Sequence, residues 1–264
     1  MSQPSADTVV HLFRGPFVTT GAERWEVPAG SRRLLAFVAL HRGPVERRRA
    51  ASVLWPAMPP PRAGGNLRSA LWRLRGAGID VVTADHCGLA LAPRVTVDVH
   101  AVEEWAGRLI DGSPWPADLA LTPSSTEALD LLPGCYEDWA LIERERLRHR
   151  ILRALEALSR HLVGAHRVGD AVDAALIAVH AEPLRESAQR ALVEAHLAEG
   201  NVVEARRAYR SYALLLRREV GVSPSADLTS LVASSDERWS EPPAWYALSG
   251  SIGLFVRPAG ATVT

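Results

Sequence analysis

Lysine is absent from this chain of 264 residues, so all 30 of its basic side chains are arginines. A Walker-type phosphate loop requires a lysine, and its absence excludes a nucleotide-hydrolysing site of that kind. Cysteine is scarce too, with only Cys87 and Cys135, which is too few for a disulfide framework. This usage is typical of a reducing compartment, and we expect a cytoplasmic protein.

Long apolar runs are also missing. The longest, such as Leu34–Leu40, fall far short of the ~20 residues that a membrane-spanning helix needs. Residues 1–13 lack the basic segment and apolar stretch of a secretory signal. We therefore expect no membrane partner.

Patterns that indicate catalysis or metal binding are lacking as well. His161 and His166 are five residues apart, a spacing that does not place them on one face of a helix. Neither of the two cysteines lies near other metal-ligating residues in the sequence pattern of a metal site. Residues 250–253 (Gly-Ser-Ile-Gly) do not have the spacing of a nucleophile elbow. We expect no enzymatic activity, no cofactor and no metal.

The net charge of zero conceals an uneven distribution. Residues 1–98 carry 13 arginines and 7 acidic residues, whereas residues 99–264 carry 17 arginines and 23 acidic residues. Within residues 31–78 there are ten arginines and a single acid, Glu46. A basic block beside an acidic remainder predicts that one half meets a polyanion and the other does not.

Turn residues and periodicity predict a winged helix–turn–helix domain over residues 1–98. Short antiparallel strands are expected before residue 30, where apolar and polar positions alternate. Helical periodicity then begins at Ser31 as N-cap, and further helices are predicted over Val45–Trp55 and Arg62–Gly76, with residues 58–61 (Met-Pro-Pro-Pro) as a loop. Apolar runs at residues 81–84 and 89–92 flank a polar turn and predict the hairpin of the wing.

Residues 99–233 show helical periodicity almost throughout. A shift of 34 residues aligns Leu158 with Leu192, and Asp170-Ala171 with Glu204-Ala205. This period is that of tetratricopeptide repeats, in which each unit is a pair of helices. The predicted fold is therefore mainly α with a small β part: a winged helix followed by an all-α, tetratricopeptide-like domain. Residues 234–264 form an aromatic, Gly-rich extension that is either a docked hairpin or a mobile tail.

The third predicted helix has an aliphatic face and an opposite face without acids. Leu67, Ala70, Leu71 and Leu74 share one arc at about 100° per residue. An arginine-rich face that also carries Asn and Ser suits a phosphate-walled groove, because Arg pairs with guanine edges and Asn with adenine. The side chains predicted to contact DNA are Arg62, Asn66, Arg68, Ser69, Trp72, Arg73 and Arg75. For Trp72, covering the apolar face of the helix is an alternative to contacting DNA, and the sequence favours neither.

Other basic residues lie at helix starts, where free N–H groups and arginine charge both favour phosphate. A solvated basic cluster is the plainer interpretation of any single one. The residues predicted to contact the DNA backbone are Arg32, Arg33, Arg47, Arg48 and Arg49. His86, at the tip of the hairpin, is the predicted contact of the wing.

Several motifs resemble the antibiotic-regulatory-protein (SARP) family of bacterial regulators. Residues 32–49, Leu54-Trp55-Pro56 and residues 66–75 resemble its OmpR-type DNA-binding domain. The segments that resemble its bacterial transcriptional activator domain are Leu132-Pro133-Gly134-Cys135-Tyr136-Glu137-Asp138-Trp139, Glu143-Arg144-Glu145-Arg146-Leu147-Arg148, Ala181-Glu182-Pro183-Leu184-Arg185-Glu186-Ser187 and Ala195-His196-Leu197-Ala198-Glu199-Gly200-Asn201.

The resemblance implies a transcriptional activator that binds direct repeats in promoters and recruits RNA polymerase. It implies double-stranded DNA and polymerase as partners, a homo-oligomer on tandem sites, and association with the nucleoid. Asn66, Arg68, Ser69, Trp72, Arg73 and Arg75 match the recognition helix of the family. The alternative is a protein-interaction or ligand-sensing scaffold of tetratricopeptide type whose winged helix has lost DNA binding.

Overall fold

The computed structural model describes residues 7–86, 88–122 and 126–239, with the side chains of 235–239 left aside. Its architecture is the predicted one, mainly helical with a small β part in the first half. The strands are β1 (Thr8–His11), β2 (Phe17–Thr20), β3 (Glu23–Glu26), β4 (Val45–Glu46), β5 (Val82–Ala84), β6 (Gly88–Leu91) and β7 (Val95–Val97). The helices are α1 (Arg32–Leu40), α2 (Arg47–Leu54), α3 (Pro60–Gly76), α4 (Asp98–Ile110), α5 (Asp138–Gly164), α6 (Val168–Ala181), α7 (Glu186–Ala198), α8 (Val202–Glu219) and α9 (Ala226–Trp239).

Most of the predicted C-terminal extension, residues 240–264, lies outside the described residues. Its first residues, 234–239, continue α9. In the part of the chain that the structure describes, no helix combines the length and the apolar character needed to cross a membrane.

The N-terminal sheet has the strand order β3-β2-β1-β7. The antiparallel strands predicted before residue 30 are present as β1, β2 and β3. The fourth strand, β7, was not predicted; it pairs parallel to β1, with Val97 opposite Val10. Since β7 leads directly into α4, this pairing brings the start of the helical half to the first strand of the chain.

Two predicted helix boundaries were wrong. The second helix begins at Arg47 because Val45 and Glu46 form β4, which pairs with β6 of the hairpin. The third helix begins at Pro60, inside the segment predicted as a loop. Proline is tolerated in a first helical turn, where backbone N–H groups have no partner within the helix and where its fixed φ is already helical.

The helical half repeats with the predicted period. Helices α6 and α8 begin 34 residues apart, and the chain before each of them turns in the same way. His166 (φ 58°) and Gly200 (φ 80°) take the left-handed conformation that ends a helix. The next amides, of Arg167 and Asn201, donate to carbonyl oxygens five residues earlier at 2.9 and 2.8 Å. The same helix end therefore recurs at the repeat interval.

Helix α1 is buried on every side. All side chains from Leu34 to Ala39 have an exposed fraction of 5% or less. Phe37 meets the ring of Trp139 from α5 edge-on, with the ring centroids 5.4 Å apart. One continuous apolar core thus includes α1, the N-terminal sheet and the helices α4 and α5.

Polar contacts reinforce this junction. Leu132, in the loop before α5, donates its amide to the carbonyl of Leu12 after β1 (3.0 Å). Arg144 on α5 donates to the carbonyl oxygens of Leu131, Leu132 and Cys135 at 2.7–2.9 Å. Three backbone acceptors are thereby satisfied by one guanidinium, which fixes the loop against the helix.

We expect Phe37→Ala to lower the free energy of unfolding by about 3–5 kcal/mol, because it leaves a cavity in the core that both halves share. Leu214→Ala, which removes a side chain that is 73% exposed, should change the same free energy by less than about 0.5 kcal/mol. Urea unfolding followed by circular dichroism measures both. Two separate transitions for Phe37→Ala, one of them at the wild-type midpoint, would contradict a shared core.

Candidate nucleic-acid interface

The faces of α3 are divided as the sequence predicts. Ala63, Leu67, Ala70, Leu71 and Leu74 are buried. Every side chain of α3 that was predicted to contact DNA is exposed, namely Arg62, Asn66, Arg68, Ser69, Trp72, Arg73 and Arg75. We call this set the outer face of α3. Helical periodicity is sufficient to separate the two faces because one of them packs against α1 and α2.

Trp72 belongs to this outer face. Its exposed fraction is 74%, so it does not cover the apolar side of the helix within this chain. Tryptophan is enriched at binding interfaces, because its ring offers a large apolar surface and its N–H a hydrogen-bond donor.

The outer face is electrostatically uniform. Among the described residues, no ion pair involves Arg62, Arg68, Arg73 or Arg75. Arginines elsewhere are paired, as in the contact of Arg42 with Glu104 at 2.8 Å. Because α3 carries no acid, its guanidinium groups sum to a positive potential along one side of the helix.

Residues near the start of α1 shape one end of this face. Ser31 stands at the predicted N-cap position, but its hydroxyl donates to the carbonyl oxygen of Ala70 (2.8 Å) and ties the start of α1 to α3. At Gly30, a Cβ atom would come within 2.6 Å of the guanidinium of Arg73. The missing side chain at Gly30 thus provides the space in which Arg73 lies, a role that the sequence did not indicate.

The arginines at the start of α2 have different surroundings. Arg48 and Arg49 are exposed, and the structure records no ion pair for either among the described residues. Arg47 is half-buried and donates to the carbonyl oxygen of Asp85 in the hairpin turn (2.8 Å). His86, the next residue of that turn, is exposed. Arg47 therefore joins the start of α2 to the wing.

The predicted phosphate contacts on α1 are engaged within the chain. The Nε atom of Arg32 donates to the carbonyl oxygen of Val27 (3.1 Å). Arg33 donates to the carbonyl oxygen of Leu54 and lies 3.6 Å from the carboxylate of Glu137 in the helical half. Both arginines line a cleft between the two halves of the protein.

Residues that hold metal ions are not grouped at this surface. Within the described ranges, no cluster of three or more His, Cys, Asp or Glu side chains has a geometry suited to a metal ion. The chemistry that the outer face offers is hydrogen-bond donation from arginine and asparagine, together with positive charge.

The fold and this surface define a class: a winged helix–turn–helix protein with an attached helical repeat domain. The model of the bacterial transcriptional activator domain matches residues 99–234. This chain therefore belongs to that family.

A solved structure of similar fold is "Mycobacterium tuberculosis EmbR in complex with low affinity phosphopeptide". It superposes with a TM-score of 0.68 at 20% identity, over 88% of this chain and 66% of that one. The chain thus spans just under two thirds of the length of EmbR. Among the curated proteins, none matches the chain.

The two faces of α3 predict opposite effects of truncation on stability. Leu74→Ala should lower the free energy of unfolding by about 2–5 kcal/mol, because the side chain fills the core. Trp72→Ala, at the exposed position, should change it by less than about 0.5 kcal/mol although the removed side chain is larger. Urea titrations of the two variants provide the comparison. Equal losses would show that Trp72 packs within the fold.

Proposed function

We propose that the chain is a sequence-specific DNA-binding regulator whose α3 reads the major groove of a promoter. The observation that carries this proposal is the outer face of α3, where exposed arginines, Asn66 and Ser69 lie together without an acid. A helix about 10–12 Å across fits the major groove, and its guanidinium and amide groups match the edges of guanine and adenine.

Under this proposal, residues 1–98 form the DNA-binding domain and residues 99–233 the activator domain. Arg48 and Arg49 contact phosphates, since they are exposed and have no acidic partner among the described residues. Arg47 and His86 belong to the wing side of the interface. Arg32 and Arg33 support phosphate binding less directly, because contacts within the chain hold both of them. We also propose that the chain binds direct repeats in promoters and associates with the nucleoid in the cytoplasm, as the resemblance to the SARP family implies.

Binding to a genomic promoter fragment and to random duplex, measured over a salt series, tests the proposal. The logarithm of the affinity should fall linearly with the logarithm of the salt concentration, because phosphate contacts release counterions. We expect Arg73→Ala to reduce discrimination between operator and random duplex by roughly tenfold or more. Arg48→Ala should weaken both duplexes alike and make the salt slope shallower by about one unit.

Arg153→Ala is a suitable control, because this exposed arginine lies on α5 in the helical half. It should leave both affinities unchanged. Absence of duplex binding even at low salt would refute the DNA-binding proposal and favour a protein-interaction scaffold. Equal, sequence-independent losses for Arg73→Ala and Arg48→Ala would refute the division of roles.

We further propose that the helical half contacts RNA polymerase. Apolar side chains just before and within the start of α5 support this, since Tyr136, Leu141 and Ile142 are 77, 41 and 66% exposed. Exposed apolar groups of this kind on an otherwise polar surface favour a protein partner over a polyanion. The half in which they lie also carries more acids than arginines.

Ile142→Asp should abolish activation in a reconstituted transcription assay while operator binding stays intact. The physical reason is that a charge at the centre of an apolar contact leaves an unpaired, desolvated carboxylate. Leu214→Asp, at an equally exposed position on α8, is the matched control and should activate normally. Full activation by Ile142→Asp would exclude this patch as the polymerase contact.

A further inference from the structure

A cleft of about 330 Å³ lies between the N-terminal half and the loop that precedes α5. One wall is formed by the β1–β2 turn, by β3 and by the start of α1. The other is the loop of residues 132–137, which belongs to the helical half. Its volume is that of a site for a small molecule.

Four guanidinium groups line this cleft, those of Arg14, Arg24, Arg32 and Arg33. Three carboxylates oppose these positive charges. Glu26 and Glu137 belong to the lining, and Glu127 pairs with Arg14. The arginines outnumber the acids, and the first turn of α1 adds no acid. The cleft therefore has an excess of positive charge, which favours an anionic ligand.

Contacts within the chain hold these guanidinium groups in place. Arg24 pairs with Glu26 (2.7 Å) and lies 3.8 Å above the ring of Phe17. Arg14 pairs with Glu127, and Arg33 lies 3.6 Å from the carboxylate of Glu137. Arg32 is held at its Nε atom. Within the described ranges its two terminal nitrogens have no hydrogen-bond partner, so they can reach a ligand. A fixed guanidinium loses less entropy when it binds an anion, because its orientation is already set.

The opposite wall is equally rigid. Leu132 has a positive φ of 51°, and its carbonyl, like those of its neighbours, is held by Arg144. Burial raises the pKa of the Cys135 thiol to about 11, with a further contribution from its hydrogen bond to Glu137. The thiol therefore stays protonated and neutral at physiological pH. The wall thus adds no charge from Cys135 that would repel an anion.

We propose that this cleft binds a small molecule carrying a phosphate or pyrophosphate group, which the four arginines recognise. Guanidinium groups bind phosphate through paired, charge-assisted hydrogen bonds, and several of them in the lining of one cleft offer more such bonds than a single surface arginine. The apolar part of the ligand would lie against Leu132 and Pro133.

A ligand in this cleft would contact both halves at once. Any dependence of DNA affinity on the ligand rests on the proposed DNA-binding function, whereas binding to the cleft does not. The effect would be reciprocal, since a ligand that alters DNA affinity must itself bind differently to the DNA complex.

Calorimetric titration of the full chain with pyrophosphate and with glucose 6-phosphate tests the inference, with glucose as the matched neutral compound. Both phosphate compounds should bind with a dissociation constant below about 1 mM, and glucose should not bind. Arg24→Ala should weaken binding by about tenfold or more through the loss of charge-assisted contacts. Ala29→Glu places a carboxylate at the exposed rim without removing a native contact and should abolish binding. Arg153→Ala should bind as the wild type does.

Failure of both phosphate compounds to bind would overturn the inference. Equal binding by Arg24→Ala, Ala29→Glu and Arg153→Ala would overturn it too, since binding would then occur elsewhere. The same variants are tested on random duplex. If Arg24→Ala and Ala29→Glu weaken duplex binding and no phosphate compound binds, the cleft contacts the DNA backbone instead. If the chain binds pyrophosphate but no duplex, the inference about the cleft stands and the proposed DNA-binding function is refuted.

Discussion

Burial of α1 on all of its sides is the constraint on which the rest of the structure depends. The helix packs against α3 on one side, and Phe37 meets Trp139 of the helical half on another. Because these side chains belong to one continuous apolar core, neither half can separate from the other without exposing apolar surface. The outer face of α3 and the activator half are therefore held at a fixed geometry.

Polar groups around this core determine which arginines remain available to a ligand. Arg144 donates its hydrogen bonds to three carbonyl oxygens. Arg42 pairs with Glu103 and Glu104 across the junction of the halves. The pKa of Arg42 is raised, first through its hydrogen bond to Glu104. In the part of the chain that the structure describes, the arginines on the outer face of α3 have no acidic partner. Identical side chains thus serve structure at the junction and remain free at the surface, and the difference lies in the acids that the fold places nearby.

Much of the α3 surface could be predicted from sequence, because a helix that packs on one side must bury its apolar positions at intervals of 3.6 residues. The 34-residue repeat was visible for a similar reason, since each helix pair buries the same small side chains. The two errors in helix boundaries arose where local sequence signals were overridden by pairing or by tolerance of proline at a helix start. Val45 and Glu46 form a strand because they pair with β6 of the hairpin. Pro60 begins a helix where three prolines indicated a loop.

The sequence by itself determined the order of the helices in the first half, the two faces of α3 and the resemblance to a family of activators. Tertiary structure alone decided the parallel pairing of β7 with β1, the space that Gly30 leaves for Arg73, and the position of Arg32 and Arg33 beside the helical half. The physical reason is that periodicity reports which side of an element is buried. Which distant element covers that side, and which charged group then meets it, depends on contacts between residues far apart in the chain.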